Sequence, residues 1–249
     1  MKKTIVCGLF LLLSVQLAHA DTAMLAIAAN FTDASKPLMA AFEKTSGHRV
    51  KASYGSTGKL FAQINNGAPF DVLLAADEAT VIKLETAGIA MKNSRFTYAL
   101  GKLVLWSAKV NLLNNPEQYL NDRAYKHLAL ANPQTAPYGA AAQQVLQQLG
   151  LWDAVQNKLV KGDSIAQAFQ FVATENAEAG FVAKSQVLAW KQGGSHWDIP
   201  AQYYAPIIQQ AVLLQRAKNN PAAKDFLAFL QTDAAQLIIR NYGYGVAAL

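Results

Sequence analysis

Apolar positions along the chain fall into short runs and helical stripes, separated by turn-forming residues, in an order that alternates strand with helix. Ala23 to Ala29 is a short apolar run, and Thr32, Asp33 and Ser35 behind it are residues that start helices. Leu38, Met39, Ala41 and Phe42 give that helix an apolar stripe; Pro37 is tolerated near its first turn and Gly47 ends it. His48 to Tyr54 reads as a second strand, Gly55 to Gly58 as a turn, and Leu60, Phe61 and Ile64 as a short helix closed by Asn66 and Gly67. Asp71 to Ala76 looks like a strand buried on both faces, and Asp77 caps a helix from Glu78 to Ala87 that stops at Gly88. This βαβαβα order makes a mostly parallel sheet the economical arrangement.

A long β-rich run from Arg95 to Ser107 follows, and then the pattern restarts. Leu128 to Ala131 and Gly180 to Ala183 read as strands, Ala140 to Leu149 and Ser164 to Ala173 as helices. A further apolar segment, Pro206 to Leu214, precedes helices at Pro221 to Leu230 and Asp233 to Arg240, which pack most simply on the first unit. The prediction is two α/β lobes joined by two long strands, with residues 21–101 and 212–249 in one lobe and 102–211 in the other. No internal sequence repeat or low-complexity linker interrupts them.

Composition narrows the class. The chain has 249 residues, 52% hydrophobic and 15% charged, which excludes a disordered or collagenous protein. Lys2 and Lys3, the apolar run Thr4 to Leu17 and the small residues Ala18 and Ala20 form the three parts of a secretory signal peptide, with cleavage expected after Ala20. Removing that leader lowers the basic count from 22 to 20 against 16 acids, so the net charge drops from +6 to +4. The single cysteine, Cys7, lies in the leader, so the exported chain must owe its stability to apolar cores and not to disulfides. The best later candidate for a membrane span, Leu100 to Leu113, is interrupted by Lys102 and Lys109 and falls short of the roughly 18 to 20 apolar residues required. Lysines and arginines are scattered singly among acids, which argues against a nucleic-acid partner.

The chemistry-bearing motifs are few. His48, His127 and His196 are far apart and at no metal-ligand spacing. Gly55-Ser56-Thr57-Gly58 lacks the spacing of a hydrolase nucleophile elbow, and no phosphate-binding glycine loop occurs. The sequence therefore reads as a binder with no catalytic residue. What recurs is a turn of small or hydroxyl residues opening a helix, at Ala29-Asn30-Phe31-Thr32, Gly55-Ser56-Thr57-Gly58, Pro137-Tyr138-Gly139 and Asp163-Ser164-Ile165. Such helix starts offer free N–H groups and the positive end of a dipole, the makings of an anion site without lysine or arginine. Each taken alone is also an ordinary helix cap.

The strings A-A-N-F-T-D-A at 28–34, Y-G-S-T-G-K-L-F-A-Q-I-N-N-G-A-P-F-D-V-L-L-A-A-D at 54–77, P-Y-G-A-A-A at 137–142 and R-N-Y-G-Y at 240–244 resemble the periplasmic molybdate-binding proteins of ABC importers. The resemblance runs through the whole chain after the leader. It implies a type II periplasmic binding fold, two lobes of mainly parallel sheet flanked by helices and joined by two hinge strands. It further implies a monomer without cofactor that closes on MoO₄²⁻ or WO₄²⁻, with no direct protein–metal ligands. The cargo would pass to a membrane permease and its cytoplasmic ATPase.

Carried over residue by residue, the resemblance puts ligand contacts at Asn30 beside Ala29, at Thr57 with Ser56 before it, at Tyr138, and at the backbone of Ile165. Asn30 stands where many relatives have serine and offers amide N–H in place of a hydroxyl. A tyrosine that some members carry after Gly180 is missing, Ala183 standing there, and Tyr138 is the candidate to supply a phenol from another direction. An unprotonated oxyanion only accepts hydrogen bonds, so donors such as Asn30, Thr57 and Tyr138 suit it, whereas a protonated phosphate needs an acceptor, for which Asp33 or Asp163 would serve. Three rivals remain. Sulfate differs from molybdate mainly in size. A ferric carrier would use the pair Tyr203-Tyr204, which otherwise reads as the start of a core strand, and a hydrolase would use Ser56.

Overall fold

The computed structural model describes residues 20–245, so the predicted leader up to His19 lies outside the described residues. The chain runs through β1 (Thr22–Ala28), a 3-10 turn at Ala29–Phe31, α1 (Thr32–Ser46), β2 (Arg49–Gly55), α2 (Thr57–Asn65), β3 (Val72–Ala75) and α3 (Glu78–Thr86). β4 (Phe96–Gly101) passes almost directly into β5 (Leu103–Ser107), followed by α4 (Pro116–Asp122), β6 (Leu128–Ala131), α5 (Pro137–Gln148) and β7 (Leu159–Gly162). Then come α6 (Ile165–Ala173), β8 (Ala179–Ala183), α7 (Lys184–Ala189), β9 (Ser195–Asp198), β10 (Ile207–Leu213), α8 (Pro221–Leu230) and α9 (Asp233–Asn241).

These strands form two sheets, ordered β2-β1-β3-β10-β4 and β7-β6-β8-β5-β9. In the first, β1 is parallel to β2 and β3, while β10 is antiparallel to β3 and β4. In the second, β6 is parallel to β7 and β8, while β5 is antiparallel to β8 and β9. Each sheet therefore has four strands running one way and one reversed strand, and the reversed strand is the one by which the chain arrives from the other sheet. The two lobes share this topology although their sequences show no repeat.

The chain crosses from the first sheet to the second at Lys102. The return differs from the sequence-based expectation of a boundary between 211 and 212. Ile207 to Ala211 pair with β4 and Gln210 to Leu213 pair with β3, so β10 belongs wholly to the first sheet. The return crossing lies in residues 199–206, an irregular stretch with a 3-10 turn at Ala201–Tyr203, not a second long strand. Pro206, which lacks a ladder donor, marks the change.

Burial follows from the strand sequences. In β3, Val72 and Leu74 join Leu25 and Ile27 on one face, against Leu38 and Phe42 of α1 and Phe226 of α8. Leu73 and Ala75 join Ala26 on the other, against Leu60 of α2 and Val81 and Leu84 of α3. A strand apolar on both faces fits only where both faces are covered, as here. In the second sheet Leu128, Leu130 and Phe181 pack on Val145 and Leu146 of α5, and Trp106, Ala129 and Val182 on Val172 of α6. Each fully buried large side chain contributes about 1.5–3 kcal/mol. Among the described residues no helix is long and apolar enough to cross a membrane.

Candidate functional site

The connections after β1, β2, β6 and β7 leave the carboxyl ends of their strands, where open α/β sheets place ligands. Ala29 and Asn30 begin the 3-10 turn after β1, Ser56 is the N-cap and Thr57 the first residue of α2, Pro137 and Tyr138 open α5, and Ile165 opens α6. All of them line one tight cavity, with about 10 Å³ open to a water-sized sphere, completed by Ala28, Ala76 and Ala136. The structure thus brings every sequence-predicted site residue to a single place, with contributions from both lobes. Among the described residues no acidic, basic or histidine side chain lines it. A wider groove shares Ala76, Ala136 and Pro137 with this cavity but carries charged side chains of both signs, Asp77, Glu78 and Lys83.

The polar atoms that positions 56, 57, 138 and 165 bring to the cavity are donors. As first or second residues of their helices, Thr57, Tyr138 and Ile165 have N–H groups with no carbonyl to bond inside the helix, and the three dipoles add partial positive charge. Ser56 is the telling residue. Asp77, Ser164, Asn220 and Thr232 each cap their helix by accepting a backbone N–H, but the Ser56 side chain caps nothing. Ser56 is 4% exposed and its Oγ is buried with no hydrogen-bond partner among the described residues, a condition that costs about 1–3 kcal/mol if nothing answers it. Thr57 Oγ1 accepts from the Ala76 N–H at 2.9 Å, which leaves its own hydrogen to donate.

Two predicted contacts are differently committed than expected. Asn30 was to offer amide hydrogens to a ligand, but its Nδ2 donates to Gln209 Oε1 at 2.8 Å and to Tyr244 OH at 3.1 Å, so both hydrogens are used within the protein. Tyr138 OH accepts from Gln209 Nε2 at 3.3 Å and donates to nothing among the described residues. Burial pushes the phenols of Tyr98 and Tyr138 far above the ordinary tyrosine range, so both remain protonated.

A polar layer beneath the cavity was missed in the sequence. Tyr98 OH donates to Gln209 Oε1 at 3.0 Å, and Tyr244 OH donates to the Asn30 carbonyl at 2.7 Å. Ser185 Oγ also donates to that carbonyl, at 3.0 Å, from the other lobe. The signal was present as two glutamines, Gln209 and Gln210, in the middle of an otherwise apolar strand. Two more contacts join the lobes at the opposite rim: the Gly58 N–H donates to Thr135 O at 2.9 Å, and Lys59 Nζ pairs with Asp163 Oδ2 at 2.7 Å.

A family profile for bacterial extracellular solute-binding proteins matches residues 23–245. The chain belongs to that family. The molybdate-binding protein ModA of Azotobacter vinelandii is 53% identical to it over 231 residues, covering 92% of each chain. ModA of Rhodobacter capsulatus is 47% identical over 227 residues, covering 91% of this chain and 89% of that one. The solved structure of the Azotobacter vinelandii periplasmic molybdate-binding protein matches with a TM-score of 0.87 at 43% identity, covering 91% of this chain and 100% of the other. The family resemblance carried by the sequence strings and the two-lobed α/β fold it implied agree with these matches.

Within this solute-binding protein the rival readings find little to stand on. A serine nucleophile needs a base, and Ser56 Oγ has no partner in a cavity without histidine or carboxylate. Tyr203 and Tyr204 lie in and just after a 3-10 turn, not at the start of a strand as expected, and neither lines the cavity. Tyr203 OH donates to Glu117 Oε1 at 3.0 Å and Tyr204 OH accepts from the Leu103 N–H at 3.1 Å. Among the described residues no group of three or more His, Cys, Asp or Glu side chains comes together to hold a metal ion. Asp33 and Asp163, the acceptors considered for a protonated phosphate, pair with Lys36 and Lys59 outside the cavity.

Proposed function

We propose that this solute-binding protein captures molybdate, and tungstate with it, in the cavity between its lobes and delivers it to the permease of an ABC importer driven by a cytoplasmic ATPase. The observation that carries the reading is the donor set. Neutral donors from both lobes converge on a small cavity with no charged side chain in its wall, and the Ser56 hydroxyl there has no partner inside the protein. At neutral pH both oxyanions carry no proton, so all four oxygens accept and a matching site consists of donors. Ser56 and Thr57 from one lobe meet Tyr138 and the Ile165 N–H from the other, with Asn30 and Ala29 at the base.

Hydrogen bonds to a charged guest contribute about 1.5–3 kcal/mol each. A handful of them leaves, after several kcal/mol for closure and immobilisation, room for the roughly 8 kcal/mol of micromolar binding. Arginine is unnecessary. Sulfate is also a tetrahedral dianion, so it is excluded by size and not by charge, and the similarity to molybdate-binding proteins favours molybdate. Molybdate and tungstate are nearly equal in size, and this reading takes both. The protein acts outside the cytoplasm as a monomer, with its leader removed after Ala20, and needs no cofactor.

Calorimetric titration with molybdate, tungstate, sulfate, phosphate and ferric ion tests this reading. Submicromolar binding of the first two, with sulfate and phosphate far weaker, is expected; preferential binding of sulfate, or of ferric ion, defeats it.

A further inference from the structure

We propose that Gln209 is a positioning residue that sets the hydrogen-bond polarity of the cavity, its amide turning end for end together with that of Asn30 when an oxyanion enters. The inference rests on the oxyanion reading above and deepens it. Gln209 lies on β10, is fully buried, and sits at a register shift between Gln209 and Gln210 in the pairing with β4. Such a bulge re-aims a side chain away from the simple alternation of its strand. Gly101 on β4 makes the room: a Cβ there would collide with Tyr138 OH and lie 2.9 Å from Gln209 Nε2.

In the observed arrangement Gln209 Oε1 accepts from Asn30 Nδ2 at 2.8 Å and from Tyr98 OH at 3.0 Å, and Gln209 Nε2 donates to Tyr138 OH at 3.3 Å. The second Asn30 hydrogen goes to Tyr244 OH at 3.1 Å. What remains of the Asn30 amide is Oδ1, an acceptor at the base of a cavity read as holding an acceptor-only guest. Its polarity is wrong for that guest.

Exchanging the two ends of both amides removes the conflict and keeps the pairs that the two amides make, at the cost of the Tyr244 bond to the Asn30 carbonyl, because the phenol has one hydrogen. Gln209 Nε2 then donates to Asn30 Oδ1 and to Tyr98 OH, while the Tyr98 hydroxyl donates to Ala75 O, 3.4 Å away. Tyr138 donates to Gln209 Oε1, Tyr244 donates to Asn30 Oδ1, and Ser185 keeps the Asn30 carbonyl. Both hydrogens of Asn30 Nδ2 are released toward the cavity. The first polarity leaves the Tyr138 hydrogen unused and the second leaves the Asn30 carbonyl to Ser185 alone, and a guest that only accepts selects the second. Among the described residues Gln209 is the one side chain bonded to both Asn30 of the first lobe and Tyr138 of the second, so it makes their exchange concerted.

A carboxylate at this position can only accept. An ionised Glu in place of Gln209 takes the hydrogens of Asn30, Tyr98 and Tyr138 together and fixes the first polarity; its protonated form supplies one O–H, enough for Asn30 Oδ1 though not for Tyr98 as well, and so permits the second. The titratable groups bonded into the network are the phenols of Tyr98, Tyr138 and Tyr244, which burial keeps protonated, with Asp33 acting on Tyr244 from α1. Wild-type affinity is therefore flat between about pH 5.5 and about pH 9.

The test is molybdate titration of the wild type, Gln209→Glu and Gln209→Ala across that range, with ligand-free melting followed in parallel. Gln209→Glu is expected near wild-type affinity at the acid end and at least about a hundredfold weaker at the alkaline end, as its carboxyl ionises. Gln209→Ala is expected about tenfold weaker with no pH slope, having lost one positioning bond. Wild-type binding with either variant at full affinity throughout, or the same pH slope in both variants, overturns the role of Gln209. So does a Gln209→Glu that melts like the wild type yet is equally weak at every pH. A wild type that does not bind molybdate removes the oxyanion reading itself, and this inference with it.

Discussion

Gly58 and Thr135 meet backbone to backbone across the cleft, the Gly58 N–H donating to Thr135 O at 2.9 Å, and a Cβ on Gly58 would sit 2.9 Å from that oxygen and 3.1 Å from Thr135 Cα. Side chains do not approach backbone so closely, so any residue but glycine holds the lobes apart by a few tenths of an ångström. Gly58→Ala is expected to weaken oxyanion binding about tenfold, near 1.4 kcal/mol, through faster dissociation. Ligand-free stability should hold or rise, because alanine favours a helix. Stopped-flow release and thermal melting check both halves, and an unchanged release rate would show that the lobes stop elsewhere.

Ser56→Ala separates a ligand contact from a structural one by sign. Its hydroxyl has no partner within the protein, so its removal should leave ligand-free stability unchanged or slightly higher. Affinity for molybdate should fall by about 1.5–3 kcal/mol, the scale of a bond to a charged group. A drop in melting temperature without loss of affinity would assign Ser56 to the fold instead.

Thr57→Ala should behave differently, because Thr57 Oγ1 accepts the buried Ala76 N–H. Stability and affinity are both expected to fall, each by about 1–3 kcal/mol, and Thr57→Ser should restore both. Denaturant unfolding and calorimetry on the two variants provide the measurement. Affinity unchanged in Thr57→Ala would remove that hydroxyl from the site.

Alkaline stability follows from the buried phenols. Burial pushes Tyr125 up to about 12, and Tyr98, Tyr119, Tyr138 and Tyr244 are also raised. An unfolded tyrosine titrates near about 10. Below that pH both states keep the proton and nothing changes. Above it the unfolded chain releases protons that the fold retains, so stability falls as pH rises toward 12. Urea unfolding should be flat up to about pH 9.5 and decline beyond, with a shallower decline in Tyr125→Phe.

The elements legible in the sequence were those whose burial is simple. β3 reads directly as a strand covered on both faces because Val72 to Ala75 are all apolar, and α8 as a helix because Ala222, Phe226 and Leu230 share one face. β9 was not legible, since Ser195 to Asp198 form a polar edge strand, nor was α7, a helix of only 6 residues. The second crossing was misplaced because Ile207 to Leu213 is equally apolar wherever it pairs; only its ladder with β3 and β4 assigns it. At the site, helix-start chemistry picked out Asn30, Thr57, Tyr138 and Ile165. It gave no hint that the Asn30 amide bonds Gln209 and Tyr244, partners 179 and 214 residues away, because such pairing is a product of the sheet and not of local pattern.

The central claim is that uncharged donors of both lobes enclose an oxyanion at the base of the cleft. Anomalous diffraction at the molybdenum edge, from crystals grown with molybdate, reads the position of the guest atom directly. One peak is expected inside the cavity, with oxygens in hydrogen-bond reach of Ser56 Oγ and of the Thr57, Tyr138 and Ile165 N–H groups. A peak in the groove beside Asp77 and Glu78, or against a lysine or arginine at the surface, would contradict it.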